Sequence, residues 1–468
     1  MSEPFPHHPN LVGGFAPIHM ECDASDLIVE GEVPRDLNGT FYRNGPNPQF
    51  APRAGYHWFA GDGMIHAFHI EDGKVSYRNR WPRTVKFKRE REAGRSLFNP
   101  FNPMDTDPSV QGVDTDGLAN TNIVWHGNKL LALEEGHAPF ELDPHTLESR
   151  GAWTFDDSLV GPMTAHPKID PETGEMVFFG YSVDGMLSNK MSYHVVDRDG
   201  KLVVSQFFDA PYGAMVHDFM VTRDYVVFPI MPLTGSLDRA IAGGPAFAWE
   251  PEKGNYIGVM RRDGSTDDIR WFRSEASYVF HPMNAWNEGE VVTCDVSEYK
   301  RAPLFPNADG SAGDASETRA TLNRWTLDLG ANTDDYRTEV LQDVNCEFGR
   351  LDERHACDGY RHGYMLCDGD APAKAGGFNA IGHVDHESGR LETFSLPAEF
   401  GVSEAVFVPK SENASEGEGY LLSVVYNAET DKSHLMILDA NNLSGDPLAR
   451  AHLDHRVPYG FHGNWRPA

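Results

Sequence analysis

Short β-forming runs between glycine- and proline-rich turns, recurring over more than 400 residues, constrain this chain most. Asp170-Pro171-Glu172-Thr173-Gly174 is a turn that leads into the apolar run Met176-Val177-Phe178-Phe179. Asp197-Arg198-Asp199-Gly200-Lys201 sits between the apolar pairs Val195-Val196 and Val203-Val204. Glu71-Asp72-Gly73-Lys74 and His126-Gly127-Asn128-Lys129 carry the same hairpin chemistry. Long apolar periods of helical spacing are scarce, and only Arg83 to Ser96 and Ser236 to Ala242 read as short helices. An open sheet built from so many strands would expose long unpaired edges, whereas radial repetition protects them. The pattern therefore predicts a β-propeller. No composition break marks a linker. Asn307 to Ser316 and Ser411 to Gly419 read as surface loops, and residues 1–468 read as one domain. The repeats are too divergent for blades to be counted.

Four histidines stand at separate places among small, aromatic and turn residues: His166, His217, His281 and His462. Apolar runs open 10 residues after His166, 8 after His217 and 10 after His281. Histidines at one point of successive β-units can converge, and four converging imidazoles make a metal site. Each ligating ring must give its second nitrogen's proton to a partner, usually a carboxylate. Spacing does not select these four. The chain has 21 histidines, and His355 also precedes an apolar run by 9 residues. His383 with His386 and His452 with His455 have an HxxH spacing, but in surroundings typical of exposed turns.

Other features narrow the function classes. The net charge of −30 repels phosphate backbones and argues against nucleic-acid binding. Five cysteines without a CxxC fit a reducing cytoplasm rather than a disulfide framework or a zinc ribbon. The beginning Met-Ser-Glu-Pro-Phe-Pro does not read as a signal peptide, and no stretch approaches a membrane span. The mildly apolar segment Ala240 to Trp249 offers at most a weak membrane contact or a substrate mouth; a packed loop is the plainer reading. Gly61-Asp62-Gly63-Met64 reads as a tight turn before a strand over Ile65 to Ile70, and Asp105 to Asp116 as a solvated loop without the EF-hand order of ligands.

Taken in order, the motifs resemble the carotenoid cleavage oxygenase family, in its bacterial lignostilbene- and isoeugenol-cleaving branch. They begin with Gly31-Glu32-Val33-Pro34, the run Leu37 to Pro48 and Gly61-Asp62-Gly63-Met64. They continue through Asn120-Thr121-Asn122, Leu131 to Gly136, Thr164 to Lys168, His217-Asp218-Phe219 and Phe280-His281. Glu347 to Asp352, Glu404 to Pro409 and Phe461-His462-Gly463 complete the order. The resemblance implies an all-β fold, a seven-bladed β-propeller with a helical and loop cap over its top face. It implies Fe(II) held by His166, His217, His281 and His462, with Glu135, Glu347 and Glu404 behind three of those rings. Thr121 matches a threonine whose methyl lies near an open iron position.

The implied reaction is cleavage of an alkene by O₂ into two carbonyl products, with no protein nucleophile. Phenol-cleaving members hold the substrate hydroxyl with a tyrosine and a lysine, and Phe101 and Glu134 align there. Phe101 lacks the hydroxyl and Glu134 reverses the charge, which would repel a phenolate. The expected small-molecule substrate is a phenylpropanoid or stilbenoid, or an apocarotenoid, with Phe101, Glu134 and Phe280 as its contacts. Competing readings are a calcium-dependent propeller hydrolase or lactonase and a non-catalytic propeller that binds protein partners.

Overall fold

A computed structural model describes residues 3–53 and 55–468. The turn chemistry closes hairpins where expected: Gly63–Glu71 pairs with Lys74–Arg80, Asn122–His126 with Lys129–Leu133, and Lys190–Val196 with Leu202–Asp209. The fold is a seven-bladed β-propeller, seven antiparallel sheets of four to six strands with a small two-stranded ribbon. In that ribbon Leu233–Gly235 pairs with Phe247–Trp249, so the second half of the Ala240 to Trp249 segment packs inward, with Trp249 buried. The two expected helices form as Val85–Ala93 and Leu237–Ile241. Thr84 caps the first by accepting from the Phe87 N–H, and Gly94 ends it at a φ of 67°.

By contact density the chain forms two compact units. One holds residues 1–154, 368–383 and 392–468; the other holds residues 155–367 and 384–391. In the first, the C-terminal strand Gly463–Pro467 pairs with Gly39–Pro46, so the last strand completes a sheet begun near the start of the chain. Phe41, Phe68 and Tyr77 of that sheet pack on Leu422, Leu435 and Ile437. In the second, Phe179 and Tyr193 pack on Phe219, Val226 and Phe228. Alternating strand faces put an apolar layer between successive sheets, and each fully buried ring or branched side chain contributes about 1.5–3 kcal/mol.

One regularity positions the site. Thr121, His166 and His217 stand one to three residues before the terminal strand of a sheet (Asn122–His126, Lys168–Ile169 and Met220–Val221). His281 lies within Tyr278–Glu288 and Glu347 within Cys346–Leu351, each a terminal strand interrupted by a bulge. Glu404 lies between Phe400–Val402 and Val406–Pro409, and His462 directly precedes Gly463–Pro467. Each of the seven sheets thus contributes one residue from the same point of its path.

Candidate metal centre

In the second unit, His166 Nε2 lies 3.0 Å from His217 Nε2, which lies 3.1 Å from His281 Nε2. Backbone ties set this spacing. The Thr164 hydroxyl accepts from the His166 N–H at 3.1 Å and donates to the His217 carbonyl at 3.4 Å. The bulge around His281 breaks the ladder between Val279 and Asn284 and frees the strand to turn this side chain. Behind the ring, Nδ1 of His281 donates to Glu347 at 2.5 Å, and the Phe348 N–H donates to the same oxygen at 2.8 Å.

In the first unit, Nδ1 of His462 donates to Glu404 at 2.9 Å, and the Gly463 N–H donates to the second oxygen at 2.9 Å. The His462 backbone is clamped on both sides: its N–H donates to the Thr121 carbonyl at 3.1 Å, and its carbonyl accepts from Asn44 at 2.9 Å. Glu347 and Glu404 are buried, at 3% and 4% exposure, where a carboxylate is costly without such donors.

A neutral imidazole has one N–H, so a ring that donates through Nδ1 presents a lone pair at Nε2. The carboxylates therefore fix the tautomer of His281 and His462. Nε2 atoms that face one another at 3.0–3.1 Å need a shared proton or a cation among them. Ligands set at right angles around a metal with bonds of about 2.1 Å are about 3.0 Å apart, the spacing seen here. One ligand atom from each of His166, His217, His281 and His462 lies within 4.8 Å of all the others. No other group of three or more histidines, cysteines or acids converges in this way among the described residues. His355, His383, His386, His452 and His455 stay outside it. An all-imidazole set suits a transition metal and not Ca²⁺, which takes oxygen ligands.

The remaining expected residues fall as follows. Thr121 is buried, and its hydroxyl donates to Asn120 at 2.9 Å. Glu135 is half-buried just after the strand Lys129–Leu133. Phe280 packs edge-on against His217, with ring centroids 5.0 Å apart. Phe101 stacks on His57 at 4.5 Å. Glu134 is held by its neighbours: His137 Nδ1 bonds to it at 2.5 Å, and the Gly136 N–H donates to its other oxygen at 3.1 Å. Burial alone would raise the Glu134 carboxyl, but the His137 bond overrides it and holds the group below its ordinary range. His137 shifts upward: burial opposes the shift, and the bond to Glu134 carries it.

Aromatic residues beside the ligands had no individual sequence signal. Phe348 stacks on His281 at 4.9 Å and takes a φ of 55°, which is costly for a bulky residue and common at functional sites. Phe461 meets Trp58 at 4.5 Å and Phe59 at 5.3 Å, and Asn120 fixes Phe59 through its carbonyl. The available pointer was that Phe348 and Phe461 each lie inside a family motif, next to Glu347 and His462.

Fold and site together define a β-propeller with a four-histidine group that fits a metal ion and has buried carboxylates behind two of its rings. The RPE65 family, retinal pigment epithelial membrane protein, matches residues 15–467. The isoeugenol monooxygenase of Pseudomonas putida is 41% identical, with 98% of each chain covered. Lignostilbene-alpha,beta-dioxygenase isozyme III of Sphingomonas paucimobilis is 39% identical over 99% of this chain and 98% of its own. The crystal structure of the Pseudomonas brassicacearum lignostilbene dioxygenase superposes with a TM-score of 0.96 at 35% identity, covering all of both chains. The protein belongs to this carotenoid cleavage oxygenase family and is an enzyme of its oxygenase class.

Proposed function

We propose that the protein is an Fe(II)-dependent dioxygenase that cleaves the C=C bond of a conjugated alkene, taking up O₂ and releasing two carbonyl products. The convergence of imidazole nitrogens at 3.0–3.1 Å, with a buried glutamate fixing the His281 tautomer, carries the reading. His166, His217, His281 and His462 would hold the ion, and the ferrous ion, when bound, supplies the site at which O₂ is activated. Glu347 and Glu404 orient their rings and offset the charge of a dication held by neutral ligands. Glu135 is assigned the same task and Thr121 the restriction of access, both from the family resemblance.

Phe280, Phe348 and Phe461 lie against or beside ligand residues and suit a flat apolar substrate while keeping water away. Phe101 offers no hydroxyl, and Glu134 is engaged by His137 and offers no cation to a phenolate. We therefore assign a substrate without a free phenolate at that end: an apocarotenoid, or a phenylpropanoid held differently. Among the described residues no disulfide joins the five cysteines, which supports a cytoplasmic setting.

The test is single-turnover cleavage after anaerobic Fe(II) loading, with ¹⁸O₂ and a panel of stilbenoids, propenylphenols, their methyl ethers and apocarotenals. Aldehydes are reduced at once, before oxygen exchange with water. Label in the products from one class is expected; metal-independent cleavage, or products without label, refutes the proposal.

A further inference from the structure

Asp218 follows His217 in the chain and is buried, at 3% exposure. Its two carboxylate oxygens are used differently. Oδ1 accepts from Lys168 Nζ at 2.7 Å and from the Phe219 N–H at 2.7 Å. Oδ2 faces Nδ1 of His166 at 3.6 Å. Lys168 itself stands two residues beyond His166. An ion pair between a half-buried lysine and a buried aspartate is weak evidence for stability, because well-packed apolar residues of similar size serve as well or better. Nor is the pair needed to tie the two ligand segments together, since Thr164 already links the His166 and His217 backbones. What the pair adds is a carboxylate whose charge is balanced on one oxygen and whose other oxygen is aimed at a ligand ring. At 3.6 Å the contact has ion-pair rather than hydrogen-bond length, and a small tilt of the ring closes it.

We propose that Asp218, anchored by Lys168, is a positioning residue for His166. Its Oδ2 receives the Nδ1–H and thereby turns Nε2 toward the point shared with His217 and His281. The inference rests on the metal-centre reading above. It assigns to an aspartate, one residue from a neighbouring ligand, the ring-orienting task that Glu347 performs for His281.

The test uses the full-length protein with Co²⁺ as probe. It compares the wild type with Asp218→Asn, Lys168→Met and the double variant D218N/K168M. Three quantities are read: Co²⁺ affinity by chelator competition, the visible spectrum of the Co²⁺ form, and thermal unfolding of the metal-free protein. Removing carboxylate and ammonium together leaves no buried charge unpaired, so the double variant is expected to melt near the wild type. It is also expected to bind Co²⁺ roughly 10–100-fold more weakly, with a changed spectrum. Lys168→Met retains Oδ2 and is expected to keep wild-type Co²⁺ affinity despite a lower melting temperature. A folded double variant with wild-type affinity and spectrum overturns the proposal and leaves the pair a structural tie. A wild type that binds no Co²⁺ refutes the metal-centre reading instead, so the two failures are distinguishable.

Discussion

Glu347→Gln isolates the carboxylate charge behind His281. One oxygen of this buried glutamate accepts from His281 Nδ1 at 2.5 Å and from Phe348 N at 2.8 Å. Glutamine keeps the shape and one acceptor oxygen, so the bonds from His281 and Phe348 lose only their charge assistance, while its amide N–H₂ takes the place of an oxygen that has no hydrogen-bond partner among the described residues. Hydrogen bonds to charged groups contribute about 1.5–3 kcal/mol and neutral ones about 0.5–1.5, a difference of about 1–1.5 kcal/mol. At about 1.4 kcal/mol per decade, metal affinity should fall roughly tenfold. Glu347→Ala should fall further, because it leaves the buried Nδ1–H unpaired at a cost of about 1–3 kcal/mol and opens a cavity. The assay is Fe(II) or Co(II) competition against a chelator of known affinity, beside thermal unfolding of the metal-free proteins. A folded glutamine variant with unchanged metal affinity and turnover would refute the reasoning.

Three further predictions concern other parts of the molecule. His194 is fully buried against Phe178, neither ring nitrogen makes a well-formed hydrogen bond, and burial holds its pKa down at about 4. Below pH 6.5 the unfolded chain binds this proton and the folded one does not. Stability should therefore be lost as pH falls from about 6.5 toward 4, by about 3 kcal/mol from this residue. His194→Phe should unfold at lower pH in an acid titration followed by circular dichroism, and unchanged acid sensitivity would count against the account. Lys86 lies 2.7 Å from Asp62 and 2.9 Å from Glu90, all three buried. Lys86→Met should lower the unfolding free energy by about 3–5 kcal/mol in urea, since two carboxylates lose their counter-charge. The pair Phe101→Tyr with Glu134→Lys should raise kcat/KM for a 4-hydroxystilbene relative to its methyl ether by tenfold or more, the effect of a charged hydrogen bond of about 1.5–3 kcal/mol. An unaltered ratio would remove residues 101 and 134 from the substrate's polar end.

The sequence carried the architecture well, because turns and strand alternation are local. The hairpins at Glu71-Asp72-Gly73-Lys74 and Asp197 to Lys201, and the helices near Arg83 and Ser236, all form where the pattern put them. Convergence is not local. The run after His355 opens at 9 residues, within the 8–10 seen after His166, His217 and His281, and only the ordered family motifs set His355 apart from those three and His462. Side-chain pairing was less visible still. Glu134 reads as a free acid in the chain, yet His137 bonds to it through an i,i+3 contact within a turn. The positive φ of Phe348 and the division of labour between the Asp218 oxygens depend on backbone geometry that residue types do not report.

The central claim is that four imidazoles from distant parts of the chain bind one metal ion. X-ray absorption at the iron edge of Fe(II)-loaded protein counts those ligands directly. The account predicts one ion per chain, with four nitrogen scatterers at about 2.1 Å and the outer-shell signature of imidazole rings, diminished in His217→Ala. A shell made mainly of oxygen, or a spectrum that His217→Ala leaves unchanged, would contradict it.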